Sequence, residues 1–255
     1  MSLIAIFSDV HGNLPALRTV LNDIKKRKAD QVYCLGDLVD FAPWTNEVIE
    51  TIKSLKISCL MGNHDERIAF NHDIIPLKKH NELETAARLT AINHTKRTIK
   101  EDCKTYLADL PRQIKLNFNI KGVPVNMHLV HGSTRSNEEY IYEDHDLKDL
   151  YKMMDQTDIL IMGHTHESYI RTIPSVRQII PSARTQITEQ IAINCGSVGR
   201  SKEGKPLATY LLMAISEDGI KPELIKLPYQ VGKAIKGILE SGIPNFYADL
   251  LINSI

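Results

Sequence analysis

The 255-residue sequence has few cysteines, few aromatic residues and no excess of either charge. Its four cysteines are far apart and form no Cys-x-x-Cys pair, which favours buried, reduced thiols over a disulfide framework. Lys and Arg number 31 in total, as do Asp and Glu. This balance gives no net field that would attract duplex nucleic acid or a membrane surface, so any anionic substrate must be held locally.

Long hydrophobic runs are also missing, and none approaches the length of a membrane-spanning helix. Residues 1–10 contain an aspartate and lack the basic start and long apolar run of a signal peptide. We therefore expect a cytoplasmic protein that does not enter a membrane. With 43% hydrophobic residues and no linker, repeat or low-complexity segment, residues 1–255 are expected to form a single domain.

The first half of the chain alternates between strand-like and helix-like patterns. Apolar runs predict buried strands at residues 3–7, 31–35 and 57–61. Helices are predicted between residues 14 and 24, from near Pro43, at residues 82–99, and in a short stretch before Pro111. This order indicates an α/β opening.

The second half is richer in strand patterns. A hairpin turns at Lys121-Gly122 between residues 114–120 and 123–130, and a helix is predicted at about residues 146–156. Further strands are predicted at residues 158–162, 169–173, 176–180, 190–193, 209–215 and 220–226. Helices return only at about residues 230–252, where Gly242 and Pro244 separate two of them.

Five short blocks place metal-type ligands beside glycine or other turn-forming residues. They are Asp9-x-His11, Gly36-Asp37, Gly62-Asn63-His64-Asp65, His131-Gly132 and Gly163-His164-x-His166. Most follow an apolar run, which predicts loops at strand ends, where α/β sheets place their sites. Each block alone also fits a helix cap, an ordinary turn or a structural histidine. Together they predict a two-metal phosphoester hydrolase.

In this order the blocks resemble the calcineurin-like metallophosphoesterase superfamily over residues 4 to about 200. A closer resemblance, to the small bacterial and archaeal enzymes labelled phosphodiesterases or diadenosine tetraphosphatases, extends over nearly the whole chain. It rests on Gly36-Asp37-Leu38-Val39, residues 46–50, His131-Gly132-Ser133, Asn194 with Gly196-Ser197-Val198-Gly199, and residues 227–251. The resemblance implies a four-layer α-β-β-α sandwich, in which two packed mixed β-sheets are flanked by helices.

The resemblance also implies a ligand set for two divalent ions. One ion would take Asp9, His11 and His166, the second would take Asn63, His131 and His164, and Asp37 would bridge both. Two carboxylates offset only two of the four positive charges, so the site would attract an anionic phosphoester and hold a metal-bridging hydroxide as nucleophile. Four imidazoles favour Mn, Fe, Zn, Co or Ni over Ca or Mg.

By the same resemblance, His64 is the expected general acid for the leaving oxygen rather than a metal ligand. Nearby cations disfavour its protonated form, so a carboxylate partner would help it keep the proton. Asp40 has the spacing of the aspartate that orients this histidine in phosphoprotein phosphatases, and Asp65 is the alternative. The alternative that Asp40 is only a solvated loop carboxylate also stays open, because the closer subgroup often has glycine at this position.

Substrate preference follows from departures within the pattern. Phosphoprotein phosphatases carry Arg-Gly where Phe41-Ala42 stands here, so one expected phosphate-binding guanidinium is missing. This disfavours a protein serine/threonine phosphatase, which stays as the alternative to the favoured small nucleotide substrates. Arg135 is a candidate for a phosphate contact, with a solvated loop arginine as its alternative. Trp44 could stack on a nucleobase, although packing at a helix start is favoured.

A scaffold of the same fold is the alternative to an enzyme. Retention of all seven ligand positions and His64 favours the enzyme. Apolar residues in the C-terminal helices also leave open whether the protein forms a homodimer.

Overall fold

The computed structural model describes residues 1–78, 80–174 and 189–254. The strands of this part of the chain are β1 (Ser2–Phe7), β2 (Gln31–Cys34), β3 (Ser58–Cys59), β4 (Gln113–Ile120), β5 (Val123–Val130), β6 (Ile159–Met162), β7 (Ser168–Pro174), β8 (Glu189–Cys195), β9 (Leu207–Ser216) and β10 (Gly219–Pro228). The helices are α1 (Leu14–Arg27), α2 (Thr45–Ser54), α3 (Asn63–Ala69), α4 (Glu82–Thr98), α5 (Glu101–Ala108), α6 (Leu147–Met153), α7 (Val231–Leu239) and α8 (Phe246–Asn253).

These strands form two five-stranded mixed sheets. The first has the order β10-β9-β1-β2-β3, with β1, β2 and β3 parallel and β9 antiparallel to β1. The second has the order β4-β5-β6-β8-β7, in which β5, β6 and β8 are parallel and the predicted hairpin β4–β5 forms one edge. The carboxyl ends of the parallel strands in each sheet lie at the same end of the sandwich, and the ligand-bearing loops lie there.

The two sheets pack face to face through a common apolar core. Apolar side chains of the first sheet and its flanking loops pack against those of the second sheet. The first sheet contributes Ile4, Ile6, Leu35, Leu60, Leu211 and Met213, and the second contributes Met127, Leu129, Ile159, Ile161 and Ile193. Strand β1 is buried on both faces, because Ile4 and Ile6 enter this core while Ala5 and Phe7 face the outer helices. Burial on both sides explains why β1 is a continuous apolar run rather than an alternating pattern.

Helices cover the outer face of each sheet. Helices α1, α2 and α5 cover the first sheet through buried residues such as Leu17, Ile49 and Leu107. Helix α6 covers the second sheet through Leu150 and Met153. The order helix, sheet, sheet, helix confirms the predicted four-layer sandwich.

The C-terminal helices α7 and α8 confirm the two helices predicted at about residues 230–252. Their buried side chains pack with Phe41 and with Ala87 and Ala91 of α4. Trp44 packs against α7, since a Cβ atom at Gly237 would lie only 2.2 Å from the indole ring. Trp44 thus takes the packing role at the start of α2.

Two features of the chain differ from the sequence prediction. Helix α3 begins at Asn63, within a block of polar residues that suits a plain loop. It forms because the Asp65 carboxylate accepts the backbone N–H of Gly62 at 3.0 Å and caps the first turn. Strand β3 is shorter than predicted, with only Ser58 and Cys59 in the ladder. The strand predicted at residues 176–180 lies outside the described residues.

The cysteine prediction is confirmed, because Cys34, Cys59, Cys103 and Cys195 are all buried and free. Among the residues that the structure describes, no helix has both the length and the apolar character needed to cross a membrane.

Candidate metal centre

All five ligand blocks follow the carboxyl ends of parallel strands. Asp9 and His11 follow β1, Asp37 follows β2, and Asn63 begins α3 just after β3. His131 follows β5, while His164 and His166 follow β6. Because the two sheets pack face to face, loops from both sheets meet at the same end of the sandwich, as the sequence predicted.

The first cluster consists of Asp9, His11 and His166, which are all buried. Their potential ligand atoms lie within 4.8 Å of one another. The Nε2 atoms of His11 and His166 are 3.1 Å apart, and His166 Nε2 is 3.2 Å from Asp9 Oδ1. This arrangement offers two nitrogens and one oxygen to a single ion.

The second cluster consists of Asp37, His131 and His164, whose ligand atoms also lie within 4.8 Å of one another. His131 Nε2 is 3.3 Å from Asp37 Oδ2 and 3.2 Å from the side-chain oxygen of Asn63. Asn63 therefore joins this cluster, and all seven predicted ligands are brought together in the two groups predicted for them.

The carboxylate of Asp37 connects the two clusters. Its Oδ2 atom lies 3.8 Å from His11 Nε2 in the first cluster, besides its contact with His131 in the second. Its other oxygen accepts the backbone N–H of His64 at 2.8 Å, which fixes the orientation of the carboxylate. One side chain thus faces both groups of ligands.

Hydrogen bonds outside the clusters set the tautomers of three histidines. The Nδ1 atoms of His11, His131 and His166 lie 3.0, 2.9 and 2.7 Å from the carbonyl oxygens of Val39, Leu35 and Arg200. A carbonyl can only accept, so each Nδ1 carries a proton, and each Nε2 faces the site and offers a lone pair there when it is unprotonated.

This donor set fits divalent cations. Two Nε2 lone pairs of His11 and His166 facing each other at 3.1 Å repel unless a cation lies between them. Among the described residues, His164 Nε2 and Asp9 Oδ1 are buried without a hydrogen-bond partner, which is costly for polar atoms that bind nothing. A metal ion in each cluster would satisfy these atoms.

Protonation of the histidines agrees with ligand roles. Burial lowers the pKa of His164 to about 4 and that of His166 to about 3, so both imidazoles are neutral near pH 7. Burial also opposes a proton on His131, but the carboxylates of Asp37 and Asp9 outweigh it and raise its pKa to about 10. A proton therefore balances the local negative charge when no metal does, and metal binding would displace it.

Five of the seven predicted ligands have left-handed backbone conformations. The φ angles of Asp9, His11, Asp37, His164 and His166 lie between 48° and 65°. Such conformations cost about 1–3 kcal/mol each in a residue other than glycine, so surrounding bonds must hold them. Backbone bonds from Asp9 N to Gly36 O and from His11 N to Asp37 O do so at the first two loops. The irregular backbone also lets His164 and His166 face the same site.

His64 lies beside the clusters with its Nδ1 atom 2.6 Å from Asp40 Oδ2. The neighbouring carboxylate of Asp65 instead accepts backbone N–H groups of Asp37, Leu38 and Gly62 at 2.7, 2.8 and 3.0 Å. Asp40 is therefore the partner of His64, and Asp65 holds the Asp37 loop.

Burial opposes charge on both members of the His64–Asp40 pair. It raises the pKa of Asp40 to about 7 and lowers the pKa of His64 well below its usual value. A contact of 2.6 Å between carboxylate and imidazole acts in the opposite direction on both groups, because each charge stabilises the other. The pair is thus suited to holding one proton close to the metal ligands.

Arg135 does not line the central cavity. Its guanidinium forms ion pairs with Glu139 and with Asp149, the latter at 2.8 Å, and the side chain is 44% exposed. A phosphate contact by Arg135 remains a prediction, but it requires breaking both ion pairs.

A cavity of about 440 Å³ opens over the ligand clusters and His64. Several residues that sequence reasoning did not assign to the site line it, including Arg88, Tyr140, Arg200, Phe246 and Tyr247. Arg88 belongs to α4 and Tyr247 to α8, so elements far from the ligand blocks complete the cavity. The one sequence signal for Arg200 is its position directly after Gly196-Ser197-Val198-Gly199, and Arg88 has none.

The chain is similar to known proteins in sequence and in fold. The family model described as calcineurin-like phosphoesterase matches residues 2–168. An uncharacterised protein of Methanocaldococcus jannaschii is 30% identical over 254 residues, which cover 98% of this chain and 97% of that protein.

Two crystal structures cover 100% of this chain and 99% of their own chains. A metallophosphoesterase from Sphaerobacter thermophilus superposes with a TM-score of 0.73 at 25% identity. A hypothetical protein from Pyrococcus horikoshii superposes with a TM-score of 0.75 at 21% identity, a likeness of fold.

Proposed function

The chain belongs to the calcineurin-like phosphoesterase family of hydrolases, and on that premise we propose that it is a dinuclear enzyme acting on small phosphorylated substrates, nucleotides in particular. The observation that carries the proposal is the position of Asp37, whose Oδ2 atom faces both ligand clusters. A single carboxylate shared by two sets of imidazoles suits two neighbouring cations, which would displace the proton on His131 when they bind.

In this proposal Asp9, His11 and His166 hold one ion, Asn63, His131 and His164 hold the other, and Asp37 is shared. The predominance of imidazole nitrogen favours Mn, Fe, Zn, Co or Ni. When bound, two such ions supply charge neutralisation at the phosphate and a water acidified towards neutral pH.

His64 is proposed as the proton donor to the leaving oxygen. Its Nδ1 atom faces Asp40, so its Nε2 atom is the nitrogen available to a substrate in the cavity, which His64 lines. Asp40 positions the ring and supports its protonated form, while the backbone N–H of His64 holds Asp37. These bonds fix the position of His64 relative to Asp37.

The cavity supports a small nucleotide as substrate. Its volume of about 440 Å³ exceeds the space that a phosphate alone requires and lies within the range of small-molecule sites. Cationic Arg88, Arg200 and Lys202 occur beside aromatic Phe41 and Tyr140 on its wall. Cations suit phosphate oxygens and aromatic rings suit a nucleobase.

Metal reloading tests the function. Chelator-treated protein is expected to hydrolyse bis-p-nitrophenyl phosphate only after transition metal is restored, with Mn as the first choice, and to bind two ions per chain. A panel of monoesters, diesters, cyclic nucleotides, dinucleoside polyphosphates and phosphoserine peptides then ranks the substrates. Two bound ions without turnover of any phosphoester would favour the scaffold, and fast release from phosphoserine peptides would favour a protein phosphatase.

Three proposals concern the chain as a whole: that it forms one domain, that it acts in the cytoplasm, and that it can form a homodimer through α7 and α8. The core between the sheets supports a single domain because it combines Ile4 and Leu211, which are distant in sequence. Half-exposed Leu239 and Ile252 support a contact surface on the C-terminal helices. Light scattering after size exclusion measures the mass in solution, and a single monomer mass would exclude the dimer.

A further inference from the structure

The Arg200 side chain packs against two stacked aromatic rings next to the proposed proton donor. Its guanidinium carbon lies 5.2 Å from the centre of the Phe41 ring and 5.8 Å from that of Tyr247. These two rings stack on each other with centres 4.5 Å apart and an angle of 19° between their planes. Phe41 also meets the His64 ring edge-on at 4.8 Å. Phe41 and Tyr247 therefore place a cation on the side of the cavity next to His64.

The guanidinium of Arg200 has no protein acceptor within residues 1–78, 80–174 and 189–254. It makes neither a hydrogen bond nor an ion pair there, and its Nε atom is buried without a partner. Arginines elsewhere in the chain do have carboxylate partners, such as Arg27 with Asp23 and Arg112 with Glu66. A partly buried cation without a counter-charge is less favourable than a paired one, and a bound ligand can supply the anion.

Stacking by itself does not explain this arrangement. A cation–π contact contributes about 0.5–2 kcal/mol and leaves the N–H groups in the guanidinium plane without acceptors. The other cations of the cavity wall are engaged by carbonyl oxygens: Arg88 donates to Ile75 O at 3.0 Å, and Lys202 donates to Thr165 O at 3.2 Å. Among the described residues, Arg200 is thus the cavity cation that has no protein acceptor, and its N–H groups can donate to a bound molecule.

We propose that Arg200 binds a non-reacting phosphate on the leaving-group side, so that the preferred scissile bond is a phosphoanhydride rather than an ester of an uncharged alcohol. This inference rests on the proposed function, because the leaving-group side is defined by the role of His64 as proton donor. A planar guanidinium can hold two phosphate oxygens at once, which suits the terminal oxygens of a leaving phosphate.

The reaction needs no co-reactant besides water. The oxygen of water forms a bond to the attacked phosphorus and gives up one proton to solvent, and the bond from that phosphorus to the bridging anhydride oxygen breaks. The electron pair stays on that oxygen, which becomes part of the leaving phosphate and takes the proton from His64. His64 then regains a proton from solvent, so that the net change is the addition of one water. Arg200 would offset the negative charge that collects there, an interaction absent when the leaving group is a phenol or a neutral alcohol.

The test compares two substrates across matched variants. Kinetics of Arg200→Gln, Arg200→Lys and wild type are measured with diadenosine tetraphosphate and with bis-p-nitrophenyl phosphate. Arg97→Gln is the control, since Arg97 is exposed in the last turn of α4 and does not line the cavity. We expect Arg200→Gln to lower kcat/KM on the polyphosphate about 10- to 100-fold more than on the diester, the range of one lost charged hydrogen bond. Arg200→Lys should restore part of the loss.

Equal losses on both substrates, or no loss on either, would overturn the inference. Thermal unfolding of each variant shows whether the fold is intact. Calorimetric binding of pyrophosphate and orthophosphate gives a readout without turnover, and Arg200→Gln should weaken pyrophosphate binding at least tenfold while changing orthophosphate binding less than threefold. If wild type hydrolyses neither substrate, the proposed function fails, and this binding ratio still decides the role of Arg200.

Discussion

His64 Nδ1 and Asp40 Oδ2 lie 2.6 Å apart, although Asp65 is the carboxylate next to His64 in sequence. His64 and Asp65 both lie in the first turn of helix α3, which begins at Asn63 and directs Asp65 towards the Asp37 loop. Asp40 reaches His64 because its own backbone adopts a φ angle of 73°, which folds the chain over after Asp37. The two carboxylates that the sequence left as alternatives therefore have separate roles.

Replacement of Asp40 should impair catalysis without removing the metals. The Asp40→Asn variant keeps the size of the side chain but loses the charge that orients and supports the protonated His64 ring. We expect kcat on a diester to fall about 10- to 100-fold, as for other groups that orient a site residue through a hydrogen bond. Metal content measured by mass spectrometry should stay at the wild-type value, and loss of metal would contradict this role.

Replacement of Asp65 should affect the fold more than the chemistry. Its carboxylate accepts three buried backbone N–H groups, and the amide of Asp65→Asn would turn a donor towards at least one of them. The expected loss is about 1–3 kcal/mol in the free energy of unfolding, with weaker metal retention because the Asp37 loop loosens. Urea unfolding monitored by circular dichroism measures it. A variant as stable as wild type would show that these bonds contribute little.

The Asp37→Asn variant should lose metal and activity together. An amide cannot provide the charge and the two oxygens that face both clusters, so binding should drop below two ions per chain and hydrolysis at least 100-fold. Asp144→Asn, at an exposed position, is the matched control. Full binding of two ions by Asp37→Asn would argue against a bridging carboxylate.

The His64→Ala variant should separate catalysis from metal binding. Since His64 is not among the seven ligands, two ions should remain while the rate falls about 100- to 10,000-fold, the range of a lost general acid. His72→Ala, at an exposed position, serves as the control. Depletion of metal in His64→Ala would identify the residue as a ligand instead.

Gly199 should tolerate no side chain. A Cβ atom there would lie 1.9 Å from the carbonyl oxygen of Val10, next to the Asp9 loop. Gly199→Ala is therefore expected to lower the melting temperature and the metal affinity. The control Gly232→Ala has open space around the new Cβ within α7 and should stabilise the protein by up to about 1 kcal/mol. Calorimetric melting curves of both variants compare the two sites.

Much of the architecture could be predicted from local patterns. Runs such as residues 3–7 are continuous in apolar character because the strand is buried on both faces, and glycine with polar residues marks where each strand ends. The sequence does not reveal the start of α3, because the side chain of Asp65 that caps Gly62 is also held by bonds from Asp37 and Leu38, which are distant in sequence. A short polar block without its tertiary partners has the composition of a loop.

The ligand types, their order and their positions after strands are properties of the chain alone, since apolar runs and turn residues act over a few neighbouring positions. The folded arrangement alone shows that Asp37 faces both clusters, that Asp40 rather than Asp65 meets His64, and that Arg200 packs on Phe41 and Tyr247. These relationships join residues from separate loops and from α8, and their distances depend on how two sheets and the C-terminal helices pack together, which no local pattern encodes.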